Sequence, residues 1–142
     1  MDRSYRIHLD ADHNYVLAAE DSRVGSKIVL QKASDVDSAL CVWTLHTKDN
    51  TIALTSSGNT VVLDCNALED ESQFVLATYR GSPTETQKWR HDSPYFRNVS
   101  KDNFVIDNFG GAMKPGNRII AYRFNGGDTT QQWFLQPETL AV

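Results

Sequence analysis

The chain has 142 residues, with 14 Lys+Arg against 18 Asp+Glu for a formal net charge of -4, and 40% of it is hydrophobic. That length suits one domain able to bury its own core. The acidic balance argues against nucleic acid and anionic membrane surfaces as main partners, because both require a basic face. No apolar run approaches the roughly 20 residues of a membrane-inserting span.

The opening stretch, Met1-Asp2-Arg3-Ser4-Tyr5-Arg6, lacks the apolar run of a signal peptide. It points to synthesis in the cytoplasm, with later release left open. A first strand is predicted at 5–9, a second at 15–19 and a third at 27–31, and Trp43 follows in the frame 41–45. The series then starts again, with strands at 51–55, 60–64 and 73–77 before Trp89 in the frame 87–91. It runs a third time through 95–99, 103–107 and 118–122 to Trp133 in the frame 131–135. The tryptophans are spaced 46 and 44 residues apart, so the chain is a threefold repeat.

The strands are rich in Val, Ile, Leu, Phe and Tyr and are punctuated by turn residues such as Ser57-Gly58-Asn59, Lys114-Pro115-Gly116 and Asn125-Gly126-Gly127. No segment holds a helical apolar stripe over three turns. Four short strands cannot bury their own apolar face, whereas three such units closing around a common axis can. The prediction is therefore an all-β chain: a β-trefoil of twelve strands in three repeats of about 45 residues with pseudo-threefold symmetry. It forms a single domain over 1–142, with lobes of about 1–48, 49–92 and 93–142.

Cys41 and Cys65 are too few and too far apart for a disulfide framework or a zinc site, so free thiols are expected. His8, His13, His46 and His91 are scattered without metal-ligand spacing, and neither a metal nor a cofactor is expected. No serine sits in a Gly-x-Ser-x-Gly elbow and no Gly-rich phosphate cradle precedes a helix, so an enzyme is not expected. Glu69-Asp70-Glu71 reads as a solvated loop rather than as paired catalytic carboxylates.

Gln87-Lys88-Trp89 and Gln131-Gln132-Trp133, with the degenerate Cys41-Val42-Trp43, each follow a strand at whose end Asp64, Asp107 or Ala18 stands. This recurring Gln-x-Trp frame resembles the ricin B-chain-type β-trefoil lectins over about residues 3 to 137. Each Trp is expected to face inward as core, with its indole N–H finding a partner. Gln87 and Gln131 are expected to brace the neighbouring loop through their amides.

The resemblance implies a sugar pocket made of a carboxylate from the second strand, a stacking ring beside the third and a polar group before the Gln-x-Trp. An ionised acceptor gives the stronger hydrogen bonds to hydroxyls, and a flat ring covers C–H surface without desolvating them. In the first lobe these positions hold Ala18, Gln31 and Leu40, so no pocket is expected there. The second has Asp64, Thr86 and Gln87 but Ala77 at the ring position, with Tyr79 as the candidate replacement. The third has Asp107, Tyr122, Thr130 and Gln131, with Asn125 in the adjoining loop, and is the most complete. It departs from the resembling pattern in having Thr130 where Asn is common, and Asn108 where an apolar residue is usual.

The implied function is a non-enzymatic lectin for galactose/GalNAc-type glycans of glycoproteins or glycolipids, shallow and metal-independent, in the manner of a defence lectin or agglutinin. Avidity would require a second pocket or a homodimer. The alternative is a β-trefoil protease inhibitor acting through an exposed loop, Thr47-Lys48-Asp49-Asn50 or Arg80-Gly81-Ser82-Pro83.

Overall fold

The computed structural model describes residues 2–138. Met1 and the last four positions of the 1–142 domain assignment lie outside the described residues. The first repeat folds as β1 (Arg3–Leu9), β2 (Asp12–Ala19), β3 (Ile28–Lys32) and β4 (Val42–His46). The second gives β5 (Thr51–Leu54), β6 (Val61–Cys65), β7 (Ser72–Thr78) and β8 (Trp89–Asp92). The third gives β9 (Tyr95–Asn98), β10 (Phe104–Asn108), β11 (Ile119–Arg123) and β12 (Trp133–Pro137).

Six strands close a barrel. β1 pairs antiparallel with β12 and with β4, β4 with β5, and β8 with β9. The remaining seams are closed by single bonds, from Trp89 N to Asn50 O at 2.7 Å and from Trp133 N to Pro94 O at 2.7 Å. The other six strands form three hairpins, β2–β3, β6–β7 and β10–β11, that meet at one end of the barrel. Their edges touch pairwise, through Lys27 opposite Val75, Val29 opposite Arg118 and Gln73 opposite Ile120. Barrel and triangular cap together make the β-trefoil.

The core follows from the pattern that predicted it. Alternating apolar residues put Ile7, Leu9, Leu17, Leu30, Leu54, Leu63, Phe74, Leu76, Phe96 and Ile106 into one cluster with the three tryptophans. Trp43, Trp89 and Trp133 are at most 2% exposed. Trp43 Nε1 donates to Leu17 O and Trp133 Nε1 to Ile106 O, a shared geometry for the first and third lobes. Trp89 Nε1 instead donates within its own turn, to Thr86 O at 2.8 Å.

The strand reading omitted the short 3-10 turns. One precedes each tryptophan strand, at Ser38–Leu40, Glu85–Gln87 and Thr129–Gln131. Asp37 and Asp128 cap the first and third through their carboxylates, and Thr84 caps the second in a reciprocal box with Gln87. Hence the Gln of each intact Gln-x-Trp closes a capped turn and its amide points back over the lobe. Two further turns, Thr55–Ser57 and Phe109–Gly111, follow strands.

Candidate functional site

The three hairpins share one register. Ala18 lies opposite Val29, Asp64 opposite Val75, and Asp107 opposite Ile120. Two residues along, Val16 faces Gln31, Val62 faces Ala77, and Val105 faces Tyr122. Directly opposed residues point to the same side of a sheet, and so do residues two apart on one strand. Asp107, Ile120 and Tyr122 therefore share a face, and the corresponding positions of the other lobes are those assigned from sequence.

In the third lobe that face opens into a cleft of about 350 Å³ lined by Asp107, Tyr122, Asn125, Asp128, Thr130, Ile120, Phe109, Gly110 and Glu71. Asp107 is 5% exposed and forms the floor. Its Oδ2 accepts a 3.0 Å bond from Gln131 Nε2, while its Oδ1 is buried with no hydrogen-bond partner. Burial pushes the carboxyl pKa up from the usual carboxylate value, and the bond from Gln131 only partly offsets this. An oxygen so placed is short of a donor, and a sugar hydroxyl entering the cleft would supply one.

Gln131 is fully buried and holds three elements together. Besides the bond to Asp107, its Nε2 donates to Arg123 O at 2.9 Å and its Oε1 accepts from Asn125 N at 3.3 Å. Asn125 and Asp128 tie the 125–128 loop through Nδ2 to Oδ2 and through Asp128 N to Asn125 Oδ1. Asp128 Oδ1 also accepts from Thr130 N. Tyr122 is half-buried beside this loop, leaving part of its ring open to the cleft.

Asn108, the departure from the lectin pattern, builds the opposite wall. It is fully buried, its Nδ2 donates to Ala112 O and its Oδ1 accepts from Asn117 Nδ2 at 2.7 Å. Asn117 Nδ2 also reaches Phe109 O, so the buried pair clamps the Phe109–Gly111 turn at both ends. Gly111 adopts φ +72°, and a Cβ there would lie 2.8 Å from Thr130 Cγ2. The turn and the Thr130 side chain touch because that position is a glycine.

The second lobe reproduces half of this arrangement. Gln87 Nε2 donates to Asp64 Oδ2 at 3.0 Å, and Asp64 Oδ1 is again buried and unpartnered. Thr86 pairs its hydroxyl with Thr84, and its carbonyl takes the Trp89 indole N–H. Tyr79, one residue beyond β7, donates its hydroxyl to Asp49 and lies parallel to the His46 ring. Its polar end is committed to the β4–β5 loop. Ala77 supplies no ring, so carboxylate and brace stand without a platform.

The first lobe has Ala18 and Gln31 on the corresponding face, Leu40 in the turn that follows, and Cys41 where the brace would be. Both cysteines are free and buried. Desolvation raises the Cys41 thiol pKa and pushes that of Cys65 up to about 12, so neither is a ready thiolate.

Sequence reasoning missed Glu71 as a cleft residue, while the 125–128 and 109–111 loops that it placed beside the third-lobe pocket supply Asp128 and Phe109 to the lining. Glu71 belongs to the second repeat and reaches the third-lobe cleft because its N–H donates to Ala121 O across the β7–β11 edge. Neighbouring Asp70 accepts from Arg123 N and Nε, so the loop read as solvated is an inter-lobe clamp. The missed signal is a glutamate where the repeat elsewhere has glycine.

No known protein-family model matches this sequence, and no curated protein sequence does. Solved structures do. The C-half of an earthworm R-type lectin, determined in complex with GalNAc, is similar with a TM-score of 0.79 and 16% identity, over 96% of this chain and 99% of that one. The designed threefold-symmetric protein ThreeFoil is similar with a TM-score of 0.75 and 19% identity, over 94% and 97%. The β-trefoil lectin of the Vibrio vulnificus hemolysin/cytolysin, determined with N-acetyl-D-lactosamine bound, gives 0.74 and 13%, over 99% and 98%. At such identities the likeness is one of architecture: this chain and those proteins share the β-trefoil fold.

Proposed function

We propose that this chain is a non-enzymatic lectin that takes a galactose/GalNAc-type hexose in the third-lobe cleft. The observation that carries the reading is Asp107, a buried carboxylate with one oxygen fixed by Gln131 and the other lacking a donor, beside an open tyrosine ring. A hexose would donate hydroxyl protons to Asp107 and lay its C–H face on Tyr122, with Asn125 and Thr130 at the rim. The galactose-type preference is drawn from the lectin resemblance, and the earthworm and Vibrio lectins were determined with GalNAc and N-acetyl-D-lactosamine. The second lobe, with Asp64 and Gln87 but Ala77, is a weaker site at best.

Among the described residues no group of three or more His, Cys, Asp or Glu is arranged to hold a metal ion. None of their helices is long and apolar enough to cross a membrane. The reading assigns recognition to the protein's own side chains, and the partners to glycans of glycoproteins or glycolipids.

Titration calorimetry with methyl β-galactoside and GalNAc tests this, with a dissociation constant of roughly 0.1 to 1 mM expected for one shallow pocket. Tyr122→Ala should remove binding while the domain stays folded, and EDTA should change nothing. A folded Tyr122→Ala protein that titrates like the parent overturns the third-lobe site. Loss of binding on chelation, restored by Ca²⁺, overturns metal independence.

A further inference from the structure

The three hairpin junctions are built alike. At each, a backbone N–H at the start of one lobe's third strand donates to a carbonyl in another lobe's third strand: Gly25 N to Leu76 O, Glu71 N to Ala121 O, and Gly116 N to Leu30 O. All three residues take positive φ, at 91°, 66° and 84°. The slot is left-handed, which suits glycine and is uncommon for a residue with a Cβ. The first and third repeats place glycine there, whereas the second places glutamate. This departure falls beside the one cleft that has carboxylate, brace and ring together.

Among the described residues Glu71 is one of three carboxylates lining that cleft, with Asp107 on the floor and Asp128 in the 125–128 loop, and none of its lining residues is a lysine or arginine. Two nearby cations are already engaged, one of them at the cleft edge by Glu71 itself. Arg123 is bound to Asp70. Arg118 lies over the Phe109 ring at 4.4 Å, with its Nη2 4.0 Å from Glu71 Oε1. Asp107, 5% exposed with Oδ1 unpartnered, marks the cleft as ligand-facing independently of its charge.

We propose that Glu71 makes this cleft a charge selector, admitting uncharged or amine-bearing hexoses and turning away those that carry sulfate, uronate or sialyl carboxylate groups. The inference rests on the third-lobe cleft being a sugar site and assigns the class of sugar it takes. An anionic substituent would meet the Asp107, Asp128 and Glu71 carboxylates in one concave space, and because the Glu71 side chain is more than half exposed the repulsion is open to screening by salt. A protonated amino sugar would meet the opposite field. Glu71 also holds the Arg118 guanidinium, so removing its carboxylate both deletes a repulsive charge and frees a cation for an acidic ligand.

The test compares methyl β-galactoside, galactosamine and galactose 6-sulfate on the parent protein, Glu71→Gln and Glu71→Gly, at low and high salt. The parent should bind the sulfated sugar roughly tenfold or more weakly than the neutral one at low salt, with the gap closing as salt rises. Both variants should narrow that gap severalfold. Glu71→Gly relieves the left-handed strain, so its melting temperature should hold or rise and a folding defect cannot account for the change. Equal binding of neutral and sulfated galactose by the parent at low salt overturns the selector while leaving the lectin reading intact. So does a gap that survives both variants. A parent protein that binds none of the three sugars overturns both.

Discussion

Asp107 is a carboxylate that the fold would hold more comfortably as a neutral group. Burial raises its pKa, so the folded state retains its proton to higher pH than the unfolded chain does. The sign follows: its contribution to stability is fully present below the unfolded value of 3.8 and is lost as pH rises through the folded pKa. Sugar acceptance runs the other way, since the ionised form is the stronger acceptor. Binding should weaken on acidification at a pH above the ordinary carboxylate range, as a pH series of sugar titrations would show. Asp107→Asn keeps an oxygen for Gln131 but turns the unpartnered oxygen into a donor. It should retain or raise stability at pH 7 in urea unfolding. It should also lose about 1.5 to 3 kcal/mol of sugar binding, roughly 10- to 150-fold. Unchanged affinity would remove Asp107 from the site.

At the scale of elements, the cleft is a hairpin face completed by two short turns. The Thr129–Gln131 turn brings Gln131 beneath Asp107, and the Phe109–Gly111 turn closes the far side under the Asn108–Asn117 clamp. Gly111→Ala introduces a Cβ into a left-handed position and against Thr130 Cγ2, so it should cost about 1 to 3 kcal/mol and displace the cleft wall. Gly110→Ala is the control. It has φ +63° with open space around its Cβ, and should cost about 1 kcal/mol through backbone strain alone. Thermal melts separate the two: both should lower the melting temperature, and Gly111→Ala, which adds the clash with Thr130, should lower it further.

At the scale of the whole molecule, one side chain gathers the three lobes. Gln73 Nε2 lies within hydrogen-bond distance of Ile28 O at 3.0 Å, Phe74 O at 2.8 Å and Ile119 O at 3.0 Å, one carbonyl from each repeat. An amide has two hydrogens to share among these acceptors, and Gln73 Oε1 is itself buried without a partner. The clasp sits where the hairpin edges meet, so it holds the cap closed rather than any single hairpin. Gln73→Leu leaves carbonyls from the three repeats without this donor and should destabilise by about 1 to 3 kcal/mol in urea unfolding. Because the Glu71 junction lies two residues away on the same edge, the third-lobe cleft should loosen with it, read as weaker sugar binding. A change within 0.5 kcal/mol, the scale of about an ordinary surface substitution, would show that the clasp adds nothing.

Much of this was legible in the linear sequence. The tryptophan period and the alternation of apolar residues determined twelve strands, three lobes and an inward Trp in each, because strand formation and burial follow from local pattern. The same repeat aligned Ala18, Asp64 and Asp107, and the three hairpins do place them at equivalent register positions. The 3-10 turns escaped because three-residue elements carry no period. Strand alternation makes Tyr79 the candidate replacement for the ring missing at Ala77, but its hydroxyl partner Asp49 lies 30 residues away in sequence, a pairing no strand pattern announces. Glu71 escaped for a stronger reason. A lobe's own repeat supplies its carboxylate, brace and ring through local register, whereas the third wall comes from a neighbouring lobe through the closing edge of the cap. That edge forms only when the second and third hairpins dock, so its residues are set by long-range packing, and tertiary structure alone decided that Glu71 joins Asp107 and Asp128 around the cleft.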